Sequence, residues 1–258
     1  MHHRAHRCVQ AVIAFGSFAA LVGPLAGSAS ALILNGGPSI RPNISFVGLF
    51  NGGTAVAVGP REILTAAHVG GGRGSSFWLG GSSFRAVSTI TSDTADLMRV
   101  TLDRDLPGYY PIADSSLKRG ARLTVAGFGL TAESSTRSGF TWSDDRAEVW
   151  GTNRLDAARD GHLFFRFDRR GGASEAILTP GDSGGAVFIT GPDGNLALAG
   201  INRGVYQRLG GRASFGDTSV AVDLTSIGGF LGGLAVVPAP GATGVMVLAG
   251  LVALRRRR

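Results

Sequence analysis

Glycine limits what this chain can fold into more than any other feature: 41 of the 258 residues are glycine, and they cut the apolar sequence into short runs. Glycine weakens helix and strand interiors but accepts the positive-φ conformations that tight turns need. Short alternating apolar runs between such turns read as strands, so the chain is expected to be all-β. The pattern places six strands at 46–50, 53–58, 63–65, 76–79, 84–90 and 97–102. A stretch at 107–120, with prolines, glycines and polar residues, reads as a linker. Six further strands are expected at 122–127, 145–150, 163–168, 185–190, 196–203 and 219–224, with a short C-terminal helix over 224–231.

The two ends stand apart from this pattern. Residues 1–31 carry His2, His3, Arg4, His6 and Arg7, then an apolar stretch from Val9 to Leu25, then Ala29-Ser-Ala31. That is the build of a secretory signal peptide with a small-residue cleavage site. At the other end, residues 233–258 contain Val237-Pro-Ala-Pro240, an apolar run from Gly241 to Leu254 and four arginines. Fourteen helical residues rise about 21 Å against a hydrocarbon core of about 30 Å, too short for a comfortable permanent span. The tail reads as a sorting signal, and a short anchor with its arginines in the cytoplasm is the other reading. The formal charge of +7 comes largely from these ends: six of the 25 basic residues lie there, leaving 19 against 18 acidic ones. A body so nearly neutral gives no case for nucleic-acid binding, and Arg169-Arg170 reads as a solvated loop pair. The single cysteine, Cys8, belongs to the signal, so the body folds without thiol or disulfide.

Chemistry concentrates in Thr179-Pro-Gly-Asp-Ser-Gly-Gly185, where a serine stands on a glycine-rich turn whose N–H groups can gather around an oxyanion. A serine hydroxyl is a poor nucleophile at neutral pH and needs a base, itself oriented by a third group. His68, in Ile63-Leu-Thr-Ala-Ala-His68-Val69, is the natural base for Ser183. Asp96 opens Asp96-Leu-Met-Arg-Val-Thr-Leu102 and is placed to hold the imidazole tautomer. Asp93 is the neighbouring candidate, but it lacks the apolar continuation that immediately follows Asp96.

With these residues in the order His, Asp, Ser, the chain from about 33 to 231 resembles the trypsin and chymotrypsin family of serine endopeptidases. Weaker likenesses accompany the triad at Gly53-Thr-Ala-Val-Ala-Val-Gly-Pro60, Val125-Ala-Gly-Phe-Gly129, Ala199-Gly-Ile201 and Asp217-Thr-Ser-Val-Ala-Val222. The resemblance implies two six-stranded antiparallel β-barrels, about 33–106 and 121–232 of a domain spanning 32–232, with the active site in the cleft between them. It implies an acyl-enzyme mechanism on protein or peptide substrates, with the N–H groups of Gly181 and Ser183 as the oxyanion hole. It further implies that Asp182 pairs with a new α-amino group near Ile33 after trimming. Cleavage after Ala31 leaves Leu32 in front of Ile33, so either a second cut follows or Asp182 finds another cation. Ile177 and Leu178 would form the base of the specificity pocket and favour apolar side chains, whereas Arg203, near its wall, would draw an acidic one.

The tail resembles the Pro-Glu-Pro sorting signals of Gram-negative bacteria, with Ala239 at the glutamate position. This implies export by signal peptidase, processing by an exosortase-type enzyme and transient membrane contact. The destination would be the periplasm, cell surface or exterior. No cofactor or metal is expected, because two histidines and no cysteine in the body leave no zinc-type ligand spacing. Gly70-Gly-Gly-Arg-Gly74 follows the histidine motif and opens no helix, so it reads as a loop, and Asn43-Ile-Ser45 is only formally a glycosylation acceptor. Two other functions fit the same residues: a surface binding module with an inactive protease fold, and an esterase using the same triad.

Overall fold

The computed structural model describes residues 32–36, 40–191 and 193–237. The expected signal peptide and the tail from 238 onward lie outside the described residues. Within them, regular structure is strand apart from two single turns of 3-10 helix, Ala67–Val69 and Leu224–Ser226. None of the described helices is long and apolar enough to cross a membrane.

Six strands close the first barrel in the order Val47–Phe50, Gly53–Gly59, Glu62–Thr65, Met98–Leu102, Ser82–Thr91 and Ser76–Leu79. Closure comes from the pairing of Leu49 with Trp78 and Phe50 with Phe77. Alternation explains the filling of the barrel: in Ser76–Leu79 only Phe77 and Leu79 turn inward, and in Met98–Leu102 the inward set is Met98, Val100 and Leu102. Gly53–Gly59 is buried along its whole length because both faces have a core to fill. Ala55 and Ala57 enter the barrel interior, while Val56 and Val58 join a cluster shared with Ala126, Ala186 and Phe188 of the second half. That shared cluster joins the two halves. Tyr110 of the linker packs into it against Phe46 and Phe188, donating its hydroxyl to Asn43 O and accepting from Phe46 N–H.

In the second half the principal strands run Val149–Arg154, Arg122–Gly127, Ala186–Thr190, Leu196–Tyr206, Thr218–Asp223 and His162–Arg166, all antiparallel. The first and last of these share no ladder. Asn153, almost fully buried, bridges the seam instead, donating from Nδ2 to Arg166 O at 3.0 Å and Ala176 O at 2.9 Å. The sheet thus curls around Leu123, Val125, Leu163, Phe165, Val187 and Ile189 as a half-barrel.

Three local features differ from the sequence expectation. A hairpin, Leu130–Thr136 with Gly139–Arg146, is extended by Arg212–Ser214, and the strand expected at 145–150 is divided between this hairpin and Val149–Arg154. Most hairpin positions are only partly buried, so the sequence has no strong apolar alternation to reveal them. The expected C-terminal helix stops after one 3-10 turn and continues as successive i to i+3 turns to Leu234. Gly228, Gly229, Gly232 and Gly233 make a longer helix costly there. The folded body also extends past 232, because Val236–Val237 pairs in parallel with Ile112–Ala113.

Candidate active site

His68 occupies the 3-10 turn that ends the Glu62–Thr65 strand, and Asp96 lies in the bend just before Met98–Leu102, its antiparallel neighbour. Ser92 shapes that bend, accepting from the N–H groups of Thr94 and Ala95 through its hydroxyl. Asp96 grips the histidine twice: Oδ1 accepts the His68 N–H at 2.9 Å, and Oδ2 lies 2.7 Å from Nδ1. The other ring nitrogen, Nε2, lies 2.8 Å from Ser183 Oγ. Asp93 is exposed and makes no contact with the imidazole, so the structure selects Asp96. The His68 side chain is 47 % exposed and Asp96 18 %, which leaves the imidazole open to the cleft and its anchor mostly shielded.

The serine stands on a turn that only its glycines permit. Gly184 has φ +84, and a Cβ there would fall 1.9 Å from Thr54 O. Gly181 has φ +98, and its missing side chain leaves room for Arg146 and Gly129. Thr54, on the first barrel, clamps this turn: its N–H donates to Ser183 O at 2.8 Å and its hydroxyl to Gly181 O at 2.9 Å, while the same hydroxyl accepts the Phe128 N–H at 3.0 Å. Pro180 O accepts the Leu130 N–H and Asp182 O accepts the Gly185 N–H. Peptides are planar and no cis bond occurs, so the N–H groups of Gly181 and Ser183 face away from those partners. Neither N–H donates to another group among the described residues.

A family model, the trypsin-like peptidase domain, matches residues 53–197, more than half of the chain and a span that includes His68, Asp96 and Ser183. The chain belongs to the trypsin-like peptidase family. Solved structures agree on the fold. Neuropsin, a serine protease of mouse brain, superposes with a TM-score of 0.57 at 16 % identity, covering 75 % of this chain and 95 % of that one. A mutant of human heparin binding protein (CAP37) gives 0.54 at 20 % identity, covering 76 % and 94 %. No curated protein matches the chain in sequence.

Against that family's pattern, two placements differ from the sequence expectation. Ile177 is 0 % exposed, pairs with Ile33 across a short ladder and packs with Phe167, Ala213 and Phe215, while Leu178 is 2 % exposed inside the half-barrel. Neither offers apolar surface to a substrate, because both side chains are used to seal the body. Ile33 is likewise spent on this ladder, so the start of the described chain is a strand and not a partner of Asp182. The Asp182 carboxylate, wholly buried, is met instead by the N–H groups of Gly129 and Thr179 at 2.8 Å each and by the Thr179 hydroxyl at 3.0 Å. That hydroxyl also lies 2.8 Å from Leu130 O and has one proton for both. Arg203 does lie at the cleft, with Nε 3.4 Å from Asp96 Oδ2. Sequence reading missed Thr54 and Arg146. A threonine in a buried strand carries no visible signal, and Arg146 is one of many arginines.

Burial pushes the Asp182 carboxyl up to about 7, against the pull of the Thr179 and Gly129 donors and the nearby Arg146. The unfolded chain releases this proton near 3.8. Between the two values the native state binds the extra proton, so this group's contribution to stability is greatest in acid and falls as pH rises. The unfolding free energy of the wild type minus that of Asp182→Asn is therefore expected to fall between about pH 4 and 7 and to level off above that in urea titrations. A difference that grows with pH would show that the donors outweigh burial. Thr54→Val, which keeps shape but removes the clamp hydroxyl, is expected to lower stability by about 1–3 kcal/mol and to slow reaction of Ser183 with an acylating probe. Unchanged stability and reactivity would remove Thr54 from the account.

Proposed function

We propose that this protein is a serine endopeptidase acting through Ser183, His68 and Asp96. The observation that carries the reading is the unbroken line of short contacts, Ser183 Oγ to His68 Nε2 at 2.8 Å and His68 Nδ1 to Asp96 Oδ2 at 2.7 Å. In the proposed reaction Ser183 Oγ attacks the peptide carbonyl carbon as its proton passes to Nε2. Asp96 stays ionised and stabilises the imidazolium it holds through Nδ1–H. The carbonyl oxygen becomes an oxyanion and takes the free N–H groups of Gly181 and Ser183. Collapse of the tetrahedral intermediate breaks the C–N bond, His68 gives its proton to the departing amine, and an ester on Ser183 remains. Water, deprotonated by His68, then attacks that ester and restores the serine.

Asp182 needs no liberated amino group in this reading. The N–H groups of Gly129 and Thr179 already meet both its oxygens, which supports a site that assembles without N-terminal trimming. The signal peptide and the arginine-ended tail support export and surface sorting, with signal peptidase and an exosortase-type enzyme as processing partners.

Hydrolysis of fluorogenic peptides and matched esters by the purified protein tests the proposal. Peptide turnover is expected, with Ser183→Ala and His68→Ala each lowering kcat by about 10⁴-fold or more. Turnover of esters alone would assign an esterase, and equal turnover by Ser183→Ala would exclude the triad.

A further inference from the structure

A cavity of about 410 Å³ opens beside the triad, lined by His68, Asp96, Arg203, Val205, Tyr206 and Val220. Arg203 supplies its only permanent cation. The guanidinium is half-exposed, with its Nε 3.4 Å from Asp96 Oδ2. Neither Nη group donates a hydrogen bond among the described residues. The backbone of Arg203 lies next to the nucleophile, with its carbonyl oxygen 3.3 Å from Ser183 Oγ. A charged, fork-shaped donor is thus held within one residue of the reacting atoms, with its outer edge turned to solvent.

The geometry points to Arg203 as the residue that selects the substrate, by binding the carboxylate of an Asp or Glu side chain on the acyl side of the bond to be cut. This rests on the peptidase reading above. The guanidinium fork matches a carboxylate through two parallel N–H donors, and the residues expected to read an apolar side chain, Ile177 and Leu178, are sealed in the interior. The contact with Asp96 gives the selection a second effect. Asp96 Oδ2 serves both His68 Nδ1 and Arg203 Nε. A substrate carboxylate supplies Arg203 with a full partner and leaves Asp96 to the imidazolium. An acidic substrate therefore raises kcat as well as lowering KM, because the gain is realised while His68 carries the proton.

The test uses peptides carrying Glu, Gln or Lys at one, two or three residues before the cut, with fluorophosphonate labelling of the wild type run in parallel. At one of these positions Glu is expected to exceed Gln in kcat/KM by about tenfold or more, with Lys poorer still. In Arg203→Gln the ratio is expected to fall to within about twofold, and in Arg203→Lys to an intermediate value, since an ammonium keeps the charge but not the fork. Wild type that labels at Ser183 yet cuts Glu and Gln peptides equally would overturn the inference and leave the peptidase reading standing, and so would a Glu preference that survives in Arg203→Gln. Wild type that neither labels nor cuts any peptide would overturn both. The wild-type comparison needs no variant, so a substitution that fails to fold does not protect the idea.

Discussion

The grip of Thr54 on the serine turn is the interaction on which the rest of the site depends. His68 and Asp96 belong to the first barrel and Ser183 to the second, so the 2.8 Å between Nε2 and Oγ is a distance between two halves of the molecule. The shared apolar cluster holds the halves together, but hydrophobic burial is not directional and does not set a register. Thr54 supplies direction. Its N–H, hydroxyl and carbonyl each have a partner, Ser183 O, Gly181 O and the Thr65 hydroxyl, so the turn is fixed from the first barrel at two carbonyls, those of Gly181 and Ser183. The absence of a side chain at Gly184 lets the strands approach closely enough for this.

The body has no disulfide to stiffen these loops, and polar groups do the work that cross-links do elsewhere. Asn153 bridges the seam of the half-barrel, Asp182 ties Thr179 at the start of the serine turn to Gly129, and Tyr110 ties the linker to both halves. Each is a buried polar group held by hydrogen bonds, which costs much more when a partner is lost. The two aspartates near the serine divide the tasks by environment. Asp182 is wholly enclosed and organises the main chain, whereas Asp96 keeps part of its solvent and faces the imidazole.

The fold class and the three side chains that meet at 2.7 and 2.8 Å could be read from the sequence because each depends on local pattern. Glycine-bounded alternation marks strands, and a serine among glycines, a histidine after a strand and an aspartate before one are contiguous signals. What could not be read depends on tertiary placement. Thr54 looks like any β-branched strand residue, and the hairpin at Leu130–Arg146 is too polar to alternate. Ile177 has the composition of a pocket floor and the position of a core residue, a difference made by its pairing with Ile33. The sequence leaves the partner of Asp182 open between an amino terminus and another cation, and the fold shows instead the neutral N–H donors of Gly129 and Thr179 in that place.

The most direct measurement of the central claim, that His68 and Asp96 activate Ser183, is the rate and position of fluorophosphonate modification, followed by intact mass and peptide mapping. A single adduct on Ser183 is expected, forming about 10³-fold more slowly or worse in His68→Ala. Folded protein that gives no adduct, or an adduct whose rate does not change when His68 is replaced, would contradict the account.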